Sequence, residues 1–142
     1  RIMANNTTCR DFARILGGTI MSSTETSCVV MRMRDISATI LGRATGSPLA
    51  LAAMFSYEAA DSQGRTLNLG ETVILTREVN PFIDVLRDNG ITVTALHNHW
   101  LCDRPRLMFI YFESIDTPLS FAQKVADAFD VFTERLVDDN LD

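Results

Sequence analysis

The second half of the chain constrains the fold most. Between Thr72 and Leu136 a strand, a helix, two strands and a long helix follow one another with short connections. Thr72-Val73-Ile74-Leu75 is β-branched and apolar and reads as a strand. Thr76 then reads as an N-cap, and Val79, Phe82, Ile83 and Leu86 recur at helical spacing as one apolar stripe. Pro81 is tolerated near the helix start because first-turn N–H groups have no internal partner. Asn89-Gly90 stops the helix, and Ile91 to Leu96 forms the next strand. Arg106 to Glu113 is a third strand, with Leu107, Phe109 and Tyr111 on one face and Met108, Ile110 and Phe112 on the other. A strand apolar on both faces belongs in the middle of a sheet. Thr117-Pro118 has the form of a cap and first helical residue. Leu119, Ala122, Val125, Ala126, Phe129, Phe132 and Leu136 mark the core stripe of a final helix, and the acidic tail from Asp138 is expected to fray.

The first half carries weaker signals. Thr7 or Thr8 can cap a helix through Asp11, Phe12, Ile15 and Leu16 that ends at Gly17-Gly18. The Ser/Thr-rich stretch through Thr26 reads as a loop. Val29, Met31 and Met33 alternate with Val30, Arg32 and Arg34 as a strand with one wet face. Ser37 to Leu41 reads as its companion, with a tight hairpin near Asp35. Gly42 to Pro48 is turn-rich, Leu49 to Ala59 reads as a strand largely buried on both faces, and Trp100 to Pro105 reads as a loop.

Together these elements predict one α+β domain over residues 1–142. A mostly antiparallel sheet of about five or six strands carries helices on one face, with ferredoxin-like character in the second half. The expected core includes Phe12, Ile15, Val79, Phe82, Ile83, Leu86, Val93, Phe109, Phe129 and Phe132. At 142 residues, 46% of them apolar, the chain is large enough for such a core without disulfides. Cys9 and Cys28 therefore read as small buried hydrophobes, and Cys102 as a loop thiol three residues past His99. The net charge of −5, with a single Lys and scattered Arg, argues against nucleic acid as a partner. No apolar run reaches membrane-spanning length. Because the chain starts at Arg1, an upstream signal or lipid anchor is one open reading, so the compartment stays undecided between cytoplasmic and exported. Oligomeric state is not legible.

Candidate chemistry concentrates at His97-Asn98-His99, which holds both histidines of the chain at a strand end. Strand alternation puts His97 and His99 on one face and Asn98 on the other. Two imidazoles on one face can hold a divalent metal such as Zn, grip an anion or share a proton. A metal needs a further ligand, for which Glu71, Glu78 and Cys102 are candidates. Without metal, the same residues with Asn80, Trp100 and Arg106 line a polar small-molecule pocket. Parallel crossover of the Val73 and Ile91 strands would bring the Glu78/Asn80 helix start to the edge that carries the histidines. Glu78 also suits helix-dipole complementarity, and Arg106 a surface ion pair. The third reading is structural, with the histidines closing the sheet end through hydrogen bonds. An enzyme with a His general acid or base in this pocket is a further alternative. There is no Gly-x-Ser-x-Gly elbow, Walker loop or Gly-x-Gly-x-x-Gly fingerprint.

Glu78-Val79-Asn80-Pro81, Leu86, Asn89-Gly90-Ile91, Val93-Thr94-Ala95-Leu96-His97-Asn98-His99 and Pro105-Arg106-Leu107-Met108-Phe109 resemble the LppY/LpqO-type family of bacterial proteins. The resemblance implies a bacterial domain of no assigned activity, some of whose relatives look like exported lipoproteins. It also implies an acidic position at Glu71 and, in many relatives, a further His where this chain has Tyr111. A metal site built on that His would lack one ligand here.

Overall fold

A computed structural model describes residues 6–133. It shows an α+β domain with four helices, a six-stranded sheet and a smaller three-stranded sheet. Helix α1 (Thr7–Leu16) is capped by Asn6, whose side chain accepts from the Cys9 N–H, rather than by either threonine. Gly17 closes it in the left-handed conformation. The Ser/Thr-rich stretch read as a loop contains β1 (Thr19–Ser23), which pairs antiparallel with β2 (Ser27–Met33). Thr24 terminates that hairpin, its hydroxyl accepting from the N–H groups of Thr26 and Ser27. Polar residues that suit turns thus also suit a short edge strand when one face stays wet.

The expected hairpin at Asp35 is corrected. β2 does not pair with β3 (Ala38–Ile40), which leaves for the second sheet and joins β4 (Arg43–Thr45) and β8 (Asp103–Arg104). β4 and β8 lie inside stretches read as turn and loop. The Leu49–Ala59 strand is also corrected. Pro48–Leu51 forms a short helix, α2, and the strand β5 (Ala52–Glu58) alternates buried with more exposed residues instead of being buried on both faces.

β6 (Thr66–Leu75) starts earlier than expected, after the Asp61–Gly64 turn, and leads through a tight turn at Thr76–Glu78 into α3 (Val79–Asp88). β7 (Thr92–Asn98), β9 (Leu107–Asp116) and α4 (Pro118–Phe129) complete the chain, with one further turn at Asp130–Thr133. Leu136 and the acidic tail lie outside the described residues. The strand order is β1-β2-β5-β6-β9-β7, and every neighbouring pair is antiparallel. β6 and β7 therefore run parallel with β9 between them, the split strand–helix–strand unit that gives the second half its ferredoxin-like character.

α1, α3 and α4 cover one face of the large sheet. Phe12, Val30, Phe55, Ile74, Phe82, Leu86, Ile110, Phe112, Phe121 and Phe129 fill that core, and Ile15, Val79, Ile83, Val93 and Phe132 pack at its rim. Gly70 is needed there, because a Cβ at that position would collide with the Phe112 ring. Phe109 belongs to a second core on the opposite face. Val73, Leu75, Leu107 and Phe109 of the large sheet meet Ala38, Ala50 and Leu51 of the small sheet and α2 there. That cover reaches only one end of the face and leaves the rest of it open.

The two cysteines read as separate hydrophobes are a disulfide. Cys9 and Cys28 lie with Cα atoms 5.4 Å apart and join α1 to β2. Both are fully buried, so burial was correctly anticipated and the covalent bond was not. Only their meeting in space, 19 residues apart in sequence, reveals it.

Candidate functional site

The candidate residues divide between the two faces of the sheet. His97 stands opposite Phe109 of β9, and Ala95 opposite Tyr111. The open face thus carries Ala95, His97 and Tyr111, while Leu96 and Asn98 face the helix side opposite Ile110 and Met108. A register shift between Val93 and Ala95 sets this arrangement, because it lets Val93 join the helix-side core while His97 faces the other way. His99 lies just past the strand, where its N–H donates to the Leu107 carbonyl at 3.3 Å. The His97 and His99 rings are 5.9 Å apart. His97 lies 5.4 Å from the Tyr111 ring, and His99 lies 4.2 Å from Phe109 and 4.4 Å from Trp100. Both histidines are exposed, and His97 Nδ1 is 3.2 Å from the Asn98 carbonyl oxygen.

Glu71 of β6 stands directly opposite Tyr111. Glu71, Tyr111, His97 and His99 therefore make a polar strip across three strands, beside the second core. Burial raises the Tyr111 phenol above its ordinary value, and the Glu71 charge raises it further, since a phenolate beside a carboxylate is disfavoured. The strip runs into a cleft of about 330 Å³ on the uncovered part of the sheet. Its floor is Val29, Met54 and Leu69, and Glu71, Thr94, Tyr111 and Glu113 supply its polar atoms. Volume and mixed lining both fall in the range of small-molecule sites.

The remaining candidates separate from this strip. Glu78 is buried and fully engaged. Its Oε1 accepts from Arg34 Nη1 at 2.7 Å and from the Leu75 N–H at 2.9 Å, and its Oε2 accepts from Arg34 Nη2 at 2.8 Å. That carboxylate stitches the end of β6 to the segment after β2. Asn80 is exposed on the first turn of α3. The split crossover does put that turn at the sheet end where β7 finishes. Trp100 packs against the second core with its indole N–H buried and unpartnered among the described residues. Arg106 lies 3.8 Å from the buried Asp103 carboxylate. Cys102 is an exposed free thiol. Among the described residues no three His, Cys, Asp or Glu side chains form a group able to hold a metal ion, so Glu71 and the two histidines do not converge as a ligand set. Sequence reading passed over Thr94, Glu113, Met54 and Leu69. The available signal was the two-residue period of β6 and β9, which places Leu69 and Glu71, and Tyr111 and Glu113, on one face.

No helix among the described residues is long and apolar enough to cross a membrane. No curated protein and no solved structure matches the chain. One family model does, over residues 10–131, and it is described as a Domain of Unknown Function (DUF1259). That match takes in all of the large sheet, nearly all of both cores and the polar strip, and the chain belongs to this family of uncharacterised domains.

Proposed function

We propose that this domain is a small-ligand-binding module whose site is the strip His97–Tyr111–Glu71 and the adjoining cleft. The supporting observation is a row of polar side chains on one face of the sheet, in which Glu71 and Tyr111 line the cleft over its apolar floor and the exposed His97 lies beside Tyr111. His99, held against Trp100 and Phe109, closes one end. Asn98, Asn80 and Arg106 are outer residues at the same sheet end, and Glu78 supports the frame rather than the ligand. A metal-free organic ligand suits this donor set better than zinc, because Tyr111 stands where the LppY/LpqO pattern has a third histidine. The motif block around His97 supports a reading of the chain as a member of the LppY/LpqO-type branch, and the buried disulfide supports an oxidising, exported location.

The test is a screen of small organic acids, amines and sugars, with divalent metals alongside, followed by amide NMR shifts. Binding should move the resonances of Thr94, Ala95, His97 and Tyr111 together. The double change His97→Ala/His99→Ala should abolish the response and leave the unfolding midpoint nearly unchanged, since both rings are exposed. A parent that binds nothing, with a double variant that unfolds, would make the histidines structural and end this reading.

A further inference from the structure

The tip of the small sheet presents a second surface. β3 and β4 join through the two-residue turn Leu41-Gly42, and both residues have positive φ, 53° and 75°. That is the geometry of a type I′ hairpin turn, which favours Asn-Gly and strains a leucine. Leu41 is also 77% exposed, and its N–H donates to the Cys102 carbonyl at 2.9 Å, which puts the 101–102 loop beside it. In that loop Leu101 is 94% exposed, the most exposed large apolar residue described. Leu41 thus suits neither its backbone nor water, and a second leucine stands next to it. Strain held at an exposed position points to function rather than folding.

The charge around these leucines has one sign. Arg43 faces Ile40 across the hairpin and Arg104 faces Thr39 across the other side of β3, and Arg106 follows two residues later. Arg43 and Arg104 are exposed and carry no ion pair among the described residues. The one carboxylate in these segments, Asp103, is buried, and it accepts from the Leu107 N–H. Thr39 and Ile40 are successive strand residues, so Arg104 and Arg43 stand on opposite faces of the small sheet, and in a chain of net charge −5 the tip carries a cation on each side of its two protruding leucines.

We infer that the β3–β4 tip and the 101–102 loop dock on an anionic lipid surface. Leu41 and Leu101 enter the headgroup boundary, and Arg43 and Arg104 meet lipid phosphates. The polar strip lies on the large sheet, so this contact would hold the site beside a membrane without occupying it. The inference does not depend on the proposed ligand.

Co-sedimentation tests it with vesicles of phosphatidylcholine alone and of equal parts phosphatidylcholine and phosphatidylglycerol. The protein should bind the anionic vesicles, bind the neutral ones weakly, and be released by raised salt. Leu41→Asn/Leu101→Asn should bind on the order of tenfold or more weakly, with an unfolding midpoint equal to or above the parent's, because Asn-Gly suits the turn. Arg43→Glu/Arg104→Glu, which leaves the turn untouched, should lose binding as well. Failure of the parent to bind anionic vesicles would overturn the inference. So would leucine and arginine variants that bind like the parent. A dimer in sedimentation equilibrium that the asparagine variant dissociates, without lipid binding, would assign the tip to a second copy instead.

Discussion

Arg34 and Glu78 form the most deeply buried ion pair among the described residues. Their side chains are 9% and 3% exposed, the bond is two-pronged, and Arg34 also donates to the Val73 carbonyl and lies 3.8 Å above the Phe132 ring. Arg34 donates to both carboxylate oxygens of Glu78, and for Oε2 it is the partner on which satisfaction depends. Glu78→Gln or Arg34→Met should therefore cost about 3–5 kcal/mol, since each leaves a buried charge uncompensated. Arg34→Met/Glu78→Leu should recover much of the loss. Urea denaturation of the three variants checks this, and a single variant as stable as the parent would show that the pair does not hold the turn.

Two ties fix whole elements. The disulfide anchors α1 on β2 across 19 residues of chain. Cys9→Ser/Cys28→Ser should lose about 2–4 kcal/mol, chiefly by freeing the unfolded chain, and a reducing agent should lower the parent's denaturation midpoint to match. The second tie joins the end of β9 to α4. Asp116 Oδ2 accepts from Lys124 Nζ at 2.8 Å, and Oδ1 accepts from the Thr117 N–H at 2.8 Å. Partial burial raises the carboxyl's pKa, but the Lys124, Ser120 and Thr117 hydrogen bonds outweigh it and leave it below the ordinary value. The native state thus holds the Asp116 proton more weakly than the unfolded chain does. The resulting stability is present above the ordinary carboxylate value and is lost as pH falls through the depressed one. Asp116→Asn should be less stable than the parent at neutral pH, and the gap should close in acid. Denaturation midpoints measured from pH 7 downward decide it, and a gap independent of pH would contradict the assignment.

At the scale of the whole molecule, the periodic second half was legible and the first half only partly so. The stripe of α3, the two-faced apolar run of β9 and the Thr117-Pro118 helix start each repeat one signal over many residues, so local pattern and global fold agree. The small sheet had no such repetition. β3, β4 and β8 are two or three residues long and gain their pairing from distant partners, which no window of sequence contains. The candidate site divided in the same way. His97 and His99 could be put on one face from their spacing alone. The coupling of Tyr111 to Glu71 needed the β6–β9 register, and the engagement of Glu78 needed Arg34, 44 residues away. Cys9 and Cys28 looked like ordinary core residues because burial and bonding leave the same local trace.

The irregularity between Val93 and Ala95 has a consequence for counting. Val93, His97 and His99 are all odd-numbered, and an unbroken strand would send all three toward the helices. The chain carries one surplus residue, so odd positions point inward before it and outward after it. Removing Thr94 would let the strand run evenly, with Val93 still inward and His97 still outward. Removing Leu96 instead would also let the strand run evenly, with His97 still opposite Phe109 and outward, but it would put Ala95 rather than Leu96 opposite Ile110 on the helix side. Either deletion thus keeps the histidines outward, and only the loss of Thr94 also keeps the inward-facing leucine.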